Sequence, residues 1–161
     1  RRTRGLHASV GILYNHESQL RPDKFLTRRV VLGARAARAA KDAGKPYRLE
    51  LGSLSATVDW CWAPDTTDAM IRIVEAKAGN DYVIASGETH SVEDLCRVAF
   101  GKLGLDYREF VHEAPGRLTR STGRLVGDSR RLREATGWSP TVSFEGLVEK
   151  LLEEPPAAWA R

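Results

Sequence analysis

A chain of 161 residues, 42% hydrophobic and 29% charged, is long enough for one domain with a buried core. Its net charge of +4 comes from basic and acidic residues spread among one another, without the basic and aromatic interleaving that binds nucleic acid. No apolar stretch reaches membrane-spanning length, and Cys61 and Cys96 have neither metal-ligand nor disulfide spacing. We therefore expect a cytoplasmic protein with no nucleic acid, membrane or metal partner.

The first predicted strand covers residues 6–14, and its apolar run at 10–14 is typical of a buried strand. The chain turns polar at Asn15, where an amide, an imidazole, a carboxylate and a hydroxyl follow one another up to Ser18. In open α/β sheets, ligands bind beyond the carboxyl ends of the strands. The polar stretch is therefore a candidate binding edge, and the alternative is an ordinary turn with satisfied side chains.

Helices and strands alternate along the rest of the chain. Asp23 is predicted to cap a long helix at 24–43, with Gly44 after its end. The next predicted elements are a strand at 47–51, an irregular stretch at 52–63, a helix from Asp65 or Thr66 to about Gly79, and a strand at 82–85. A helix capped by Ser91 and Asp94 and a strand at 110–111 follow. The last elements are a loop at 115–128, in which residues 125–126 can pair briefly, and two short helices at 129–136 and 144–154. This alternation predicts an α/β fold.

Several patches, in order along the chain, resemble GDP-mannose 4,6-dehydratases, which are extended short-chain dehydrogenases/reductases. The patches are Gly-Ile-Leu-Tyr-Asn-His-Glu-Ser at 11–18, Arg21, Phe-Leu-Thr-Arg-Arg at 25–29, Leu51-Gly52, Asp59-Trp60, the stretch 81–92, Gly127-Asp128 and the stretch 137–144. The resemblance implies a Rossmann-type fold. Residues 1–152 would form its C-terminal part, the last sheet strands plus a substrate-binding subdomain, and residues 153–161 a tail.

The same resemblance implies roles for particular side chains. His16 and Arg21 match positions that contact an NADP cofactor, and Asn15 matches an asparagine that hydrogen-bonds the nucleotide-sugar. Arg29 stands where the family has a lysine that approaches the nucleotide diphosphate; the alternative is a solvated helix arginine. The other substrate-binding candidates are Leu26, Ser53, Arg117 and Arg120.

The chain also departs from the family pattern. Val58 and Leu118 replace two phosphate-binding arginines, Ser53 replaces an asparagine, and Cys61-Trp62 replaces Gly-His. Losing a guanidinium–phosphate contact is not a conservative change. Three alternatives follow: a dehydratase that holds the diphosphate differently, an epimerase or reductase relative for another nucleotide-sugar, and a non-catalytic binding module.

Two motifs of the family chemistry do not occur in the sequence. There is no Gly-x-Gly-x-x-Gly or Gly-x-x-Gly-x-x-Gly turn for a dinucleotide, and no tyrosine is followed four residues later by lysine. In the family these motifs precede the Asn-His-Glu-Ser stretch, and the chain opens Arg1-Arg2 without methionine. We therefore expect the substrate-binding half of an NADP-dependent lyase, without catalytic residues of its own. The complete protein would convert GDP-mannose to GDP-4-keto-6-deoxymannose and could form a homo-oligomer.

Overall fold

The computed structural model describes residues 1–114 and 125–155. Within these ranges the chain forms eight strands, five α-helices and a 3-10 turn. In order they are β1 (Val10–Leu13), β2 (Asn15–Glu17), α1 (Leu26–Asp42), β3 (Leu49–Leu51), β4 (Thr57–Val58), β5 (Trp60–Trp62), α2 (Ala63–Glu75), β6 (Asp81–Ile84), β7 (His90–Ser91), α3 (Val92–Gly101), the 3-10 turn (Tyr107–Glu109), β8 (Val111–Glu113), α4 (Arg130–Thr136) and α5 (Phe144–Leu152). The α/β prediction is confirmed.

The strands pair two by two, and each pair joins segments that are distant in sequence. Three pairs are parallel, β1 with β6, β2 with β5 and β3 with β8, whereas β4 and β7 are antiparallel. Parallel strands need a crossover between them, which helices α1, α2 and α3 supply. The short β2–β5 pair puts Asn15 opposite Trp60 and His16 opposite Cys61.

Strand β1 is half-exposed, so the prediction of a buried strand was wrong. The side chains of Val10 and Ile12 are 54% and 50% exposed, while Leu13 packs against the core. Strand β1 pairs with β6 along one edge only, and no other described strand covers its second edge. The apolar run predicts a strand with apolar side chains on both faces, but it does not show whether other elements cover those faces.

Two stretches predicted as turn or irregular structure form short strands. Asn15 to Glu17 is β2, and the 52–63 stretch contains β4, β5 and the first residue of α2. Their local sequences are polar or mixed, so periodicity gives no strand signal. Parallel pairing with a partner 45 residues away in register, Asn15 with Trp60, imposes the extended backbone.

Helix α1 begins at Leu26 and not at Lys24, and Asp23 does not cap it. The N-cap residue is Phe25, without a side-chain hydrogen bond, and Asp23 instead lies 3.6 Å from the Arg28 guanidinium. The Phe25 N–H donates to the Pro22 carbonyl, so a tight turn leads into the helix. By contrast, the capping box of α3 is confirmed, because Ser91 and Asp94 exchange hydrogen bonds.

Two hydrophobic clusters form the core of the described ranges. The larger one joins α1, α3 and α5 with strands β3 and β8, and the smaller one joins α2 and α4 with β6. Strand β5 links them, since Trp60 belongs to the first and Cys61 to the second. None of the helices described is long and apolar enough to cross a membrane.

Candidate functional site

The candidate site begins where β1 ends and β2 continues. Asn15 is exposed, so its amide is available to a ligand. His16 is half-buried, and its Nδ1 lies 3.0 Å from the Tyr14 carbonyl oxygen. That geometry assigns the proton to Nδ1 and makes Nε2 an acceptor when the ring is neutral.

A buried carboxylate lies directly after these two residues. Glu17 is 2% exposed, accepts a hydrogen bond from the Thr27 hydroxyl at 2.6 Å, and lies 3.3 Å from Arg21 Nε. Burial raises the pKa of Glu17, while the bond from Thr27 and the charges of Arg21 and His16 lower it in part. Glu17 therefore joins the end of β2 to the first turn of α1 and to Arg21.

Arg21 is held at three points. Its Nη1 donates to the His16 carbonyl at 3.0 Å, its Nε faces Glu17, and its guanidinium lies 4.0 Å from the centre of the Phe25 ring. An arginine restrained in this way loses little conformational entropy when it binds an anion. The sequence predicted Arg21 as a ligand contact, and the structure supplies the group that orients it.

The first turn of α1 lies next to this cluster. It has no acidic residue and no side-chain cap, and the positive dipole end of such a helix start favours an anion. Arg28 and Arg29 follow in the same turn, and Leu26 packs against the core. Arg29 Nη2 donates to the Glu50 carbonyl at 2.8 Å, so this side chain reaches toward the end of β3.

Ser53 lies just after β3, whose Glu50 carbonyl accepts the bond from Arg29. Its hydroxyl is 2.9 Å from that of Ser55, and the neighbouring Leu54 N–H donates to the Glu113 carboxylate at 2.8 Å. The Ala114 N–H donates to the Leu51 carbonyl, so β8 ends beside β3. Arg117 and Arg120, the last two substrate-binding candidates, lie outside the residues that the structure describes.

The start of α1 therefore brings the two groups of candidates together. Thr27 bonds to the end of β2, which carries Asn15 and His16, and Arg29 bonds to the end of β3, close to Ser53. The resulting edge offers an amide, an imidazole, restrained guanidinium groups and a helix start without a side-chain cap. This combination suits a ligand with a sugar and a phosphate end.

The sequence analysis named Asp59 as part of a family patch but gave it no role, and the structure shows that it joins several segments. Asp59 is 1% exposed and accepts four hydrogen bonds, from the N–H and hydroxyl of Ser86 and from the N–H groups of Gly87 and Gly127. A Cβ on Gly127 would overlap the Ala85 methyl group. A single aspartate before a tryptophan gives no signal of this role.

The stretch from Gly87 to His90 has mainly structural contacts. Gly87 has φ +88° and donates to Asp59, and the His90 ring stacks on Phe144 at 3.8 Å with 5° between the planes. Ser91 then caps α3. These contacts agree with turn formation and capping as the simplest interpretation of this stretch.

Solved structures share this fold. The protein RMD from Pseudomonas aeruginosa complexed with NADPH has a TM-score of 0.76 and 24% identity, covering 94% of this chain and 49% of its own. The dTDP-glucose 4,6-dehydratase from Bacillus anthracis in complex with NAD has a TM-score of 0.79 and 15% identity. The match covers 95% of this chain and 46% of that protein. The fold is thus the Rossmann-type α/β fold of extended short-chain dehydrogenases/reductases.

Sequence comparison identifies the family within that class. The GDP-mannose 4,6 dehydratase family model matches residues 1–151. GDP-mannose 4,6 dehydratase 2 from Arabidopsis thaliana is 40% identical over 152 residues, covering 93% of this chain and 39% of that protein. The chain belongs to the GDP-mannose 4,6-dehydratase family, which confirms the resemblance, and it spans less than half the length of the curated relatives it matches.

Proposed function

We propose that this chain is the substrate-binding half of a GDP-mannose 4,6-dehydratase. The observation that carries the proposal is the edge at the start of α1, where exposed Asn15 and restrained Arg21 lie near a helix start without a side-chain cap. Family membership supplies the substrate class, a GDP-hexose. The chemistry of the edge agrees with it, because helix N–H groups and arginines suit a diphosphate and an amide suits sugar hydroxyls.

The individual roles follow from position. Asn15 would hydrogen-bond the sugar, and Arg29 would contact the diphosphate from the first turn of α1. His16 and Arg21 would face NADP, the cofactor implied by the family. The substrate-binding residues would be completed by Leu26, Ser53, Arg117 and Arg120.

The residues present fit this cofactor only at one end. The chain has no glycine-rich turn against which a dinucleotide pyrophosphate could pack, and no Tyr-x-x-x-Lys pair to act as base. This chain alone therefore lacks the groups that such a redox step needs. Its own contribution is that residues 1–152 bind and orient the nucleotide-sugar.

A binding measurement on the chain tests the proposal. Titration calorimetry should show tighter binding of GDP-mannose than of UDP-glucose or dTDP-glucose. Arg29→Ala should weaken GDP-mannose binding about tenfold, because a charge-assisted contact to phosphate is lost. Arg38→Ala is the matched control: Arg38 lies in the same helix, nine residues after Arg29, and pairs with Asp42. The substitution should leave the affinity unchanged.

Two results would contradict the proposal. One is an equal loss of affinity in both arginine variants, which would mean that net charge and not the site binds the ligand. The other is formation of a 4-keto-6-deoxy sugar when the chain alone is incubated with NADP and GDP-mannose, which would show that it is not a half-site.

A second candidate function is an epimerase or reductase relative for another nucleotide-sugar. The observation that favours it is Val58, which stands where the family has an arginine and lies opposite His90 in the β4–β7 pair. An apolar side chain at this position removes one phosphate contact. Tighter binding of UDP- or dTDP-sugars than of GDP-mannose in the same titration would select this alternative.

A further inference from the structure

A cavity of about 280 Å³ lies next to the carboxyl end of β6. Its walls come from Trp60 of β5, the turn after β6, His90 of β7, Arg133 of α4 and the segment 139–144, which leads into α5. None of the described candidates for GDP-mannose or NADP binding lines this cavity. It is therefore a second concave surface, distinct from the edge at the start of α1.

Three stacked rings form one wall of the cavity. The centres of the His90 and Phe144 rings lie 3.8 Å apart with 5° between the planes, and those of Phe144 and Trp60 lie 5.8 Å apart with 17°. All three residues line the cavity. Stacked rings restrain one another, so this wall is ordered before a ligand binds and little conformational entropy is lost on binding.

One nitrogen of this wall has no hydrogen-bond partner among the described residues. His90 Nε2 is buried, and Glu88 Oε2 lies 3.7 Å away, which is beyond hydrogen-bond distance. Native proteins rarely leave a buried polar atom in that state, because its desolvation is not compensated. A hydroxyl group would pair with Nε2 in either tautomer of the ring, since a hydroxyl both donates and accepts.

The charged side chains of the lining have opposite signs. Arg133 donates from Nη2 to the Ser86 carbonyl at 3.1 Å and from Nε to the Ser129 hydroxyl at 3.2 Å. The guanidinium is thereby oriented and keeps further N–H donors. Glu88 supplies a carboxylate acceptor, 74% exposed. A phosphate would be attracted by Arg133 and repelled by Glu88, whereas a neutral ligand with several hydroxyl groups can use both side chains.

We propose that this cavity binds a neutral hexose. The hydroxyl groups of the sugar would donate to Glu88, accept from Arg133 and pair with His90 Nε2, and the apolar C–H face of its ring would pack on the aromatic wall. The volume of about 280 Å³ lies just below the range of roughly 300–1,000 Å³ for pockets that hold drug-sized ligands. It suits one monosaccharide and not a whole nucleotide-sugar. The inference does not rest on the proposed function, because the two sites share no described candidate residue.

A titration of the ¹⁵N-labelled chain with D-mannose, D-glucose and D-galactose, followed by amide NMR spectra, tests this site. We expect saturable shifts for at least one of the three hexoses, with a dissociation constant on the order of 1 mM. The shifts should fall on the amides of His90, Ser139 and Ser143, which line the cavity.

Two variants examine the contacts one by one. Glu88→Gln removes a charged acceptor, and His90→Phe keeps a ring on Phe144 but removes Nε2; each should weaken hexose binding about tenfold. The matched control is Glu134→Gln, which changes a carboxylate next to Arg133 in α4 that does not line the cavity. It should leave the affinity unchanged. Circular dichroism checks the fold, and if His90→Phe does not fold, Glu88→Gln decides alone.

Several results would overturn the proposal. They are the absence of saturable shifts with all three hexoses up to about 100 mM, shifts confined to residues 15–29, binding of inorganic phosphate in the cavity in place of a hexose, and an equal loss in Glu88→Gln and Glu134→Gln.

A GDP-mannose titration of Glu88→Gln separates this inference from the proposed function. An unchanged affinity for GDP-mannose together with weakened hexose binding supports a second site. A loss of both would assign the cavity to the nucleotide-sugar site and overturn the inference. A parent chain that binds a hexose in the cavity but does not bind GDP-mannose removes only the proposed function.

Discussion

Asp59 shows how one buried carboxylate fixes several segments at the candidate site. Its two oxygens accept four hydrogen bonds from Ser86, Gly87 and Gly127. Asp59→Asn would place an amide NH2 against N–H donors and leave at least one of them unsatisfied. We expect a loss of about 3 kcal/mol in the free energy of unfolding, measured by urea denaturation.

The matched control is Asp23→Asn, which removes the charge from a carboxylate that is 75% exposed. It should change the free energy of unfolding by less than about 0.5 kcal/mol. An equally small loss for Asp59→Asn would mean that the three segments are held by packing alone.

Glu17 predicts a pH dependence of stability. Burial raises its pKa above the ordinary value of 4.5, so the folded state holds the proton more tightly than the unfolded state does. Its contribution is therefore fully present below pH 4.5 and is lost as the pH rises through the folded-state pKa. Glu17→Gln cannot ionise, so the parent chain should lose stability relative to this variant as the pH rises above 4.5.

Urea denaturation of both proteins between pH 4 and pH 8 measures this difference. Thr27→Val is an informative companion, because the Thr27 hydroxyl lowers the pKa of Glu17. Without that hydroxyl the pH window should extend upward. A constant difference between parent and Glu17→Gln at every pH would show that the carboxylate ionises as freely in the folded chain as in the unfolded one.

The capping box of α3 gives a prediction at the scale of one element. The Ser91 hydroxyl donates to Asp94 at 2.7 Å and accepts from the Asp94 N–H at 2.9 Å. Ser91→Ala should cost about 1 kcal/mol of stability, the usual value for a lost cap. Ser143→Ala on α5 is the comparison: its hydroxyl accepts one bond, from Gly146, without a reciprocal partner, and should cost less.

The same box has a pH signature. The Ser91 hydroxyl, followed by Arg97, lowers the pKa of Asp94 from 3.8 to about 2. Its contribution is present above pH 3.8 and is lost as the pH falls through about 2. Asp94→Asn should therefore be less stable than the parent at pH 6 and approach it near pH 2. Equal losses at both pH values would assign the effect to helix packing instead.

The helices show how far sequence reasoning reaches at this scale. Helix α3 was predicted with its cap, because Ser-x-x-Asp is a local signal that residues 91–94 satisfy by themselves. Helix α1 was predicted with a cap on Asp23, and the actual N-cap is Phe25. There the start is set by long-range contacts, Thr27 with Glu17 and Arg29 with Glu50, which no local pattern encodes.

In the candidate site, too, local motifs were predicted from the sequence and long-range contacts were not. The resemblance predicts Asn15 and His16 from one contiguous patch and Arg21 from a separate match shortly after it. Periodicity missed strand β2 around them, since its pairing partner β5 lies far along the chain. It also missed Asp59, whose role depends on where Ser86 and Gly127 fold back.

At the scale of the whole molecule, the two core clusters differ in size and in cover. The larger one buries three helices against strands β3 and β8. The smaller one holds α2, α4 and β6 together through a few side chains, with Trp138 at its centre donating to the Asp65 carbonyl. Strand β1 borders this smaller cluster through Leu13, and none of the strands described covers its outer edge.

Native-state hydrogen exchange should reveal this difference. The free energy of the opening that exposes the amides of Tyr82 and Ile84 in β6 should be at least about 2 kcal/mol lower than for Val31 and Ala34 in α1. The reason is that fewer apolar contacts are broken. The amide of Leu95 in α3, which belongs to the larger cluster, provides the internal reference and should exchange like those of α1. Equal protection across both clusters would mean that the chain opens as one cooperative unit.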